Sequence, residues 1–392
     1  MSFSNKTFDD ISMQDIQTLV ENGVHENQNL EYKKVMWDLD ESIGGGHDEK
    51  KREMLKDISA MANRNGGYFI IGIEEGGDGQ ALKIHNVVDA ENQRDRLLSS
   101  LLTNISPRIP GIQIKCVGTE EEKTLILHVP NSFRKPHMIT FGGYNQFWAR
   151  HDRQKSPMSI DEIEDAVINT VNITKNTETF FSERKKEILS EIDDLPAMVM
   201  GVYPVGAEKE IVDVADPQLR EFLKRPPRAR SDGVNFVFNY CSPQPSYYGL
   251  SVGEGDLRKV DLHRNGYLEG RVMVSSFVEK ETNTMTNWAI VEYLYCFIKE
   301  VKQIYAHLGF DGQTLIYFSF YNIFGYCLKK KLSTWNIPGE LGVWHKSNLE
   351  IKPITFMGLD EVKVTKIIAD RIWQSFGFDN EPFIVDGELK IG

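Results

Sequence analysis

The stretch LKDISAMANRNGGYFIIGIEE (residues 55–75) joins a helix pattern to a buried-strand pattern through a glycine turn. Its first part carries apolar residues on one helical face: Leu55, Ile58, Met61 and Ala62. NRNGG then ends the helix, because Gly66 can adopt the left-handed conformation that closes many helices. YFIIGI is apolar on both faces, which is typical of a strand covered on both sides. The stretch therefore predicts a helix and a buried strand within a mixed α/β domain.

Upstream, ENQNLEYKK (residues 26–34) has the alternating pattern of a half-exposed strand. Leu30 and Tyr32 face one side of this strand, and Glu31 and Lys33 face the other. Glu26 lies an odd number of positions from Glu31, so the two acids can meet only if NQN (residues 27–29) bends the chain. Asn and Gln make such a bend plausible.

Downstream, the patterns continue to alternate between helix and strand. They predict a helix around residues 97–102, a hairpin at 112–117 and 124–129, a strand in YNQFWARHD (144–152), and a helix starting at the Ser159–Glu162 capping box. We assign these elements to a first domain, residues 1–175.

A change of pattern marks the second half of the chain. NITKNTETF (residues 172–180) has the composition of a linker, and we assign residues 176–195 to a linker and connecting helix. Residues 196–392 are expected to form a second, compact α+β domain, with a hairpin turn at Asn265-Gly266 and helices in 287–309 and 359–377. No motif in this half points to a known chemistry.

Composition narrows the class of protein. The 392 residues have average soluble usage, a net charge of −12 and no apolar run long enough for a membrane span. The N-terminus lacks the pattern of a signal peptide, and the four cysteines are isolated, so a cytoplasmic protein without disulfides or a zinc finger is expected. The negative charge argues against non-specific coating of nucleic acid, although a local basic groove stays compatible with it.

Acidic residues carry the chemistry that the sequence suggests. Glu31 and Lys33 are about 7 Å apart along one strand face, and Glu74 and Glu75 follow the end of the buried strand. If the two strands are neighbours, these carboxylates converge near a lysine and could bind a divalent cation. The alternative is an ordinary charged strand face, since exposed charge pairs are common and contribute little to stability.

The order of four segments resembles the Alba-like domain of the Schlafen family over residues 15–170. These segments are ENQNLEYKK, LKDISAMANRNGGYFIIGIEE, TLILHVPNSFRKPHMI and YNQFWARHD. Some Schlafen proteins are metal-dependent endoribonucleases that use three acids of this domain. By position, the resemblance implies Glu26, Glu31 and Glu75 as catalytic residues and as ligands of Mg²⁺ or Mn²⁺. The third is Asp in those nucleases, and Glu74 is an alternative for it here.

The resemblance also implies contacts with nucleic acid. Lys33 matches the lysine after the second acid and is a candidate catalytic residue that would touch the scissile phosphate. Arg150 matches the family's arginine and is either a phosphate contact or part of a buried ion pair. Lys34 and Arg134 are further candidates for binding nucleic acid.

Three hypotheses for function follow. The first is a metal-dependent endoribonuclease acting on structured RNA such as tRNA, with DNA as a possible ligand. The second is a non-catalytic module that binds DNA or a nucleotide such as ATP, as described for bacterial relatives; the third is an assembly protein that keeps the fold without the chemistry. Only one Schlafen-like lobe is recognisable, so a homo-oligomer or the C-terminal half would have to complete a nucleic-acid groove.

Overall fold

The computed structural model describes residues 6, 8–37, 47–151, 154–206, 210–231, 233–236, 241–254, 257–279, 281–310, 312–329 and 341–391. The chain divides into two compact units. Unit 1 comprises Met1–Thr177 with Asp311–Gln313, and unit 2 comprises Glu178–Phe310 with Thr314–Gly392. The mixture of helices and sheets confirms the predicted α+β class.

Unit 1 contains short strands interleaved with helices. Its helices are α1 (Met13–Glu21), α2 (His47–Ala62), α3 (Ala90–Asn104) and the start of α4 (Ile160–Ile192). Its strands are β1 (Leu30–Lys33), β2 (Gly67–Ile71), β3 (Ile73–Glu75), β4 (Ala81–Ile84), β5 (Ile105–Ser106), β6 (Gln113–Gly118), β7 (Lys123–Val129), β8 (Met138–Ile139), β9 (Gln146–His151) and β10 (Gln154–Pro157).

The central sheet of unit 1 has the strand order β1-β2-β7-β6. β1 runs parallel to β2, with Glu31 opposite Phe69, and the other pairs are antiparallel. A second sheet has the order β10-β9-β8-β5, and β3 pairs with β4 in a separate hairpin. The predicted hairpin of residues 112–129 and the strand in YNQFWARHD are both present.

Apolar side chains cover both faces of the central sheet. One face packs against α2 and α3, through Phe69 and Ile71 of β2 and their neighbours. The opposite face packs against α1, through Tyr32 of β1 and Ile70 of β2. Because side chains alternate along β1, Glu31 and Lys33 lie on the α2 face, where the packed helix excludes most of the solvent.

The predicted strand YFIIGI is broken at Gly72. This residue has φ +104°, and a Cβ there would lie 2.8 Å from the carbonyl oxygen of His85. Only glycine tolerates this combination readily. The chain therefore leaves the central sheet after Ile71, and β3 carries Glu74 and Glu75 into the separate hairpin with β4.

The segment expected to be a linker, residues 172–180, is helical. It continues α4 without interruption from Ile160 to Ile192. Its composition is polar, but Ile173, Thr177 and Phe180 are less exposed than the residues between them and recur at helical spacing. This periodicity, rather than the overall polarity, determines the local structure.

Unit 2 combines a large sheet with long helices. Its helices are the end of α4, α5 (Pro217–Lys224), α6 (Asn287–Leu308) and α7 (Glu361–Ser375). Its strands are β11 (Ala197–Pro204), β12 (Gln244–Pro245), β13 (Gly249–Glu254), β14 (Arg258–His263), β15 (Leu268–Met273), β16 (Val278–Glu279), β17 (Thr284–Met285), β18 (Gln313–Tyr321), β19 (Cys327–Lys329), β20 (Leu341–Val343), β21 (Leu349–Met357), β22 (Ile384–Val385) and β23 (Glu388–Leu389).

A seven-stranded sheet, in the order β12-β13-β14-β15-β11-β18-β21, forms the framework of unit 2. The predicted Asn265-Gly266 turn connects β14 and β15, and Gly266 has the expected positive φ. The buried core joins alternate residues of the sheet, such as Met198 and Met200, to the apolar faces of α6 and α7. Within the described ranges, no helix has the length and apolar character needed to cross a bilayer.

Candidate functional site

A tight turn carries Glu26 back over β1. The Asn27 N–H donates to the carbonyl of Leu30 (3.0 Å), and the Asn27 side chain accepts from the Asn29 N–H (2.9 Å). The Glu26 N–H donates to the carbonyl of Gly79 (2.8 Å), which holds this residue beside the β3–β4 hairpin. The bend required at residues 27–29 is therefore present, and the Tyr32 N–H donates to Glu26 Oε1 at 2.6 Å.

Glu26 and Glu75 form a carboxyl pair. The two carboxyl groups lie close enough for Glu75 to raise the pKa of Glu26, both as a hydrogen-bond partner of the protonated acid and through its negative charge. Burial raises the pKa of Glu26 to about 7; the Tyr32 N–H opposes this shift, while the contact with Glu75 and the negative charge of Glu31 reinforce it. Glu75 is exposed and Glu26 is half-buried, so the pair is accessible from solvent.

Glu31 lies close enough to Glu26 to raise its pKa, but it has different partners. One of its oxygens binds the Lys33 ammonium, and the other binds the Arg150 guanidinium. Burial opposes ionisation of Glu31, yet these two cations keep its pKa below the ordinary value. Arg150 itself is only 6% exposed. Of the two roles considered for Arg150, the structure shows the buried ion pair.

A second group of charges lies on the α2 side of this pair. Asp57 of α2 binds the ammonium of Lys155, accepts from Trp37 Nε1 (3.2 Å), and lies 4.0 Å from Lys33 Nζ. Burial raises the pKa of Asp57, although Lys155 and Lys33 oppose the shift. Lys155 pairs with Arg150 across the β9–β10 register, so two neighbouring cations bind two different carboxylates.

Glu74 points away from this cluster. Its carboxylate binds Lys34 Nζ (2.8 Å) and His85 Nε2 (2.7 Å), and these two hydrogen bonds lower its pKa. The β3–β4 register shifts between Glu74 and Glu75, and the two acids have different neighbours: Glu75 lies beside Glu26, whereas Glu74 binds Lys34. Of the two alternatives for the third acid, Glu75 is the one beside Glu26.

Glu26 and Glu75 could hold a divalent cation. They supply the carboxylate oxygens that Mg²⁺ and Mn²⁺ prefer, and a cation could replace the proton that the raised pKa retains on Glu26. Glu31, in contrast, has both oxygens bound to cations. Among the described residues, no three His, Cys, Asp or Glu side chains are grouped as a metal-binding set. The arrangement therefore fits a cation through two carboxyl groups, with Glu31 nearby but engaged.

A comparison with protein-family models gives the identity of this unit. Residues 26–159 match the family described as Schlafen, AlbA_2. Unit 1 contains a Schlafen AlbA_2 domain. The match spans the carboxyl pair, the Glu31 ion pairs and α2, and it associates this part of the chain with nucleic-acid-related function. No curated protein matches the chain.

Solved structures also match part of the chain. The DIP2311 protein from Corynebacterium diphtheriae shares 16% identity over 37% of this chain, with a TM-score of 0.25, and the match spans only 26% of that protein's chain. The N-terminal domain of an ATP-dependent DNA helicase RecG-related protein from Nitrosomonas europaea shares 17% identity over 38% of this chain and 93% of its own, with a TM-score of 0.27. No functional conclusion follows from likenesses at this level.

The remaining basic candidates lie in different parts of the Schlafen domain. Lys34 pairs with Glu74, outside the carboxyl pair. Arg134 is exposed in the loop between β7 and β8, where its N–H donates to Ser132 Oγ (3.1 Å). The structure thus groups Lys33 and Arg150 around Glu31 and leaves Lys34 and Arg134 apart from them.

Sequence reasoning missed Asp57 and Lys155. A signal for Asp57 exists: it lies between Met54 and Met61, which are buried on the same side of α2. An acid at such a position requires a cation, because a buried carboxylate is costly without a partner. Nothing local identifies that cation as Lys155, which is 98 residues away.

Proposed function

We propose that the Schlafen domain acts on nucleic acid as a divalent-metal-dependent endoribonuclease, with structured RNA such as tRNA as substrate. The Glu26–Glu75 carboxyl pair is the observation that carries this proposal. Glu26, which lies beside Glu75 and has a pKa raised to about 7, is a strongly perturbed group, and such groups concentrate at functional sites. The family match supports the choice of nucleic acid as ligand.

In this proposal Glu26, Glu75 and Glu31 would hold Mg²⁺ or Mn²⁺, with Glu31 joining only if Lys33 or Arg150 released one of its oxygens. When bound, such a cation lowers the pKa of water and stabilises charge on a phosphoryl group. Carboxylate ligands must be ionised, so binding of the cation would release the proton that the raised pKa of Glu26 retains at neutral pH.

Lys33 and Arg150 would have separate roles. Lys33 is 30% exposed through its side chain, so its ammonium can reach a phosphate while it stays near Glu31. Arg150 is buried and binds Glu31 from β9. We therefore assign Lys33 to the phosphate and Arg150 to the orientation of Glu31.

A non-catalytic nucleic-acid-binding module is the second candidate function. The pairing of charges favours it: Lys33, Arg150 and Lys155 each bind a carboxylate, which balances most of the charge at this site. A cluster that is already neutralised can stabilise the fold without binding a cation. Under this alternative, the domain binds nucleic acid and leaves it intact.

Cleavage assays separate the two functions. The full chain is incubated with total tRNA and with single- and double-stranded DNA, in Mn²⁺, Mg²⁺ or EDTA, and the products are resolved on denaturing gels. We expect metal-dependent cleavage of tRNA that Glu75→Gln reduces by at least about 100-fold, the range seen when a group that stabilises a transition state is removed. Glu74→Gln is the matched control, because it neutralises the adjacent acid, which binds Lys34 and His85 instead.

The assay has two outcomes that count against the nuclease. If the wild-type chain binds RNA but does not cut it under any of the three conditions, the binding module replaces the nuclease. If Glu75→Gln and Glu74→Gln cut equally well, the carboxyl pair is not the site of cleavage.

A further inference from the structure

The loop between β7 and β8 packs tightly against the turn that follows α2. The amide of Asn63 accepts the His137 N–H (2.6 Å) and donates to the carbonyls of His137 (3.0 Å) and Trp148 (2.9 Å). A Cβ at Gly66 would lie 2.5 Å from the Asn131 backbone nitrogen, so the two segments touch through their backbones. These contacts fix the side chains of both segments relative to each other.

Three cations project from these two segments: Arg64 from the turn, and Arg134 and Lys135 from the loop. We call them the basic cluster. Lys135 Nζ donates to the Arg64 carbonyl and to Asn131 Oδ1 (2.9 Å), which brings the loop cation onto the turn. In the described part of the chain, no carboxylate lies within ion-pair distance of any of the three. Thr170, the α4 residue that binds this loop, contributes only a neutral hydroxyl.

The pKa values of Lys135 and His137 reflect this concentration of positive charge. Burial and, to a smaller extent, the positive charge of Arg64 together lower the pKa of Lys135 to about 8. Burial also lowers the pKa of His137 to about 4; the Pro107 carbonyl opposes this shift, while Lys135 and Arg134 reinforce it. His137 is fully buried, and its Nε2 has no hydrogen-bond partner among the described residues.

The basic cluster contrasts with the cations around the carboxylates of this domain. Lys33, Lys34 and Lys155 each bind a carboxylate, whereas Arg64 and Arg134 are exposed and have no acid beside them among the described residues. In a chain of net charge −12, unbalanced cations held together in this way provide a local site for an anion. Guanidinium groups match the oxygens of phosphate, which they bind through paired hydrogen bonds.

We infer that Arg64, Arg134 and Lys135 form a phosphate-binding site that holds the backbone of a nucleic acid, apart from the carboxyl pair. The choice of ligand rests on the proposed function of the domain. The turn is also connected to β1, because Asn29 Nδ2 donates to the Gly66 carbonyl (2.7 Å). Asn29 precedes Glu31 by two residues, about 7 Å of strand, so a strand of nucleic acid held at the basic cluster would pass near the carboxylates.

Contacts of this kind depend on salt and not on base sequence. The test measures binding of a fluorescently labelled hairpin RNA by anisotropy, in EDTA, over a series of salt concentrations. The double variant Arg64→Gln/Arg134→Gln removes two exposed charges and leaves the Lys135 hydrogen bonds in place. We expect the slope of log K against log[salt] to become shallower by about 1.5, since each lost phosphate contact contributes roughly 0.7–0.9.

The matched control is Lys83→Gln/Arg94→Gln, which removes the same net charge from an exposed and a partly exposed position elsewhere in the domain. It is expected to retain the wild-type slope. If both double variants have the same slope, the basic cluster is not a phosphate site. Binding is measured without metal, so the result does not depend on cleavage. If the wild-type chain never cuts RNA and the salt dependence of binding is still shallower in Arg64→Gln/Arg134→Gln, the nuclease proposal is wrong and the phosphate site is supported.

Discussion

Each unit contains a buried arginine that binds a glutamate, and the two arrangements differ in how completely their charges are paired. In unit 2, Arg184 binds both oxygens of Glu269 (2.9 and 2.7 Å), and Tyr267 donates to the same carboxylate (2.7 Å). In unit 1, Arg150 binds Glu31, which also binds Lys33. Beside this second network, however, burial and the neighbouring acids Glu75 and Glu31 raise the pKa of Glu26 to about 7.

The difference separates a structural network from a candidate site. Glu269 is 2% exposed and is matched by a cation and a hydroxyl donor, so its environment is complete without a ligand. Glu75 is exposed and Glu26 is half-buried, and burial and the neighbouring acids Glu75 and Glu31 disfavour ionisation of Glu26. A bound cation could stabilise the Glu26–Glu75 pair, whereas a ligand at Glu269 would disrupt the contacts that this residue already makes.

The largest expected effect on stability comes from removing the arginines. Arg184→Ala leaves Glu269 buried without a cation, and we expect a loss of about 3–5 kcal/mol in the free energy of unfolding. Arg150→Ala leaves Glu31 bound to Lys33, so its loss should be smaller, about 1–3 kcal/mol. Urea denaturation of the full chain at neutral pH measures both.

The pair Arg184→Met/Glu269→Met is the control for this comparison. It removes both charges, and apolar replacement of a buried ion pair is often tolerated. If Arg150→Ala costs as much as Arg184→Ala, Glu31 depends on Arg150 alone, and the shared pairing with Lys33 contributes little.

A second prediction concerns a lone acid in the core of unit 2. Glu300 of α6 is fully buried, and neither carboxylate oxygen has a hydrogen-bond partner among the described residues. Burial raises its pKa to about 8, above its ordinary value of 4.5. The folded chain therefore retains a proton that the unfolded chain loses, and stability should fall between pH 4.5 and 8 with a slope of up to about 1.4 kcal/mol per pH unit.

Glu300→Gln should remove this part of the pH dependence, because the amide does not titrate. The exposed Glu388→Gln is the control and should follow the wild-type curve. Unfolding by urea at several pH values between 5 and 8 distinguishes them. A Glu300→Gln variant with the wild-type pH dependence would show that Glu300 ionises freely in the folded chain.

The sequence predicts the local parts of this structure better than the contacts between them. The alternation at residues 30–33, the Gly66 turn and the hairpin at Asn265-Gly266 each follow from a few adjacent residues. The break at Gly72 does not follow from the adjacent residues, because an apolar run with one glycine also fits a continuous strand. What decides it is the close approach of the His85 carbonyl, which is 13 residues away in sequence.

In the candidate site, too, the sequence predicts the local features better than the contacts between distant residues. The acids Glu26, Glu31 and Glu75 and the bend between the first two could be proposed from spacing and family resemblance. The partners of these acids could not be predicted, since Arg150 is 119 residues from Glu31, and the contact between Glu75 and Glu26 depends on the β3–β4 hairpin. Whether an acid is neutralised is a property of tertiary structure, and here it distinguishes Glu31 from Glu26.

The smallest expected effect concerns Glu26. Its pKa near 7 lies above the ordinary 4.5, so the folded chain again binds the extra proton, and this contribution to stability is lost as pH rises from 4.5 to 7. Because Glu26 is half-buried and solvent screens its charge, the loss should be smaller than for Glu300. Glu26→Gln removes it, and Glu75→Gln should lower the pKa of Glu26 by removing a neighbouring charge. NMR titration of the Glu26 carboxyl carbon tests this directly: an unchanged pKa in Glu75→Gln would mean that burial and Glu31 raise it without Glu75, and that the two acids do not act as a pair.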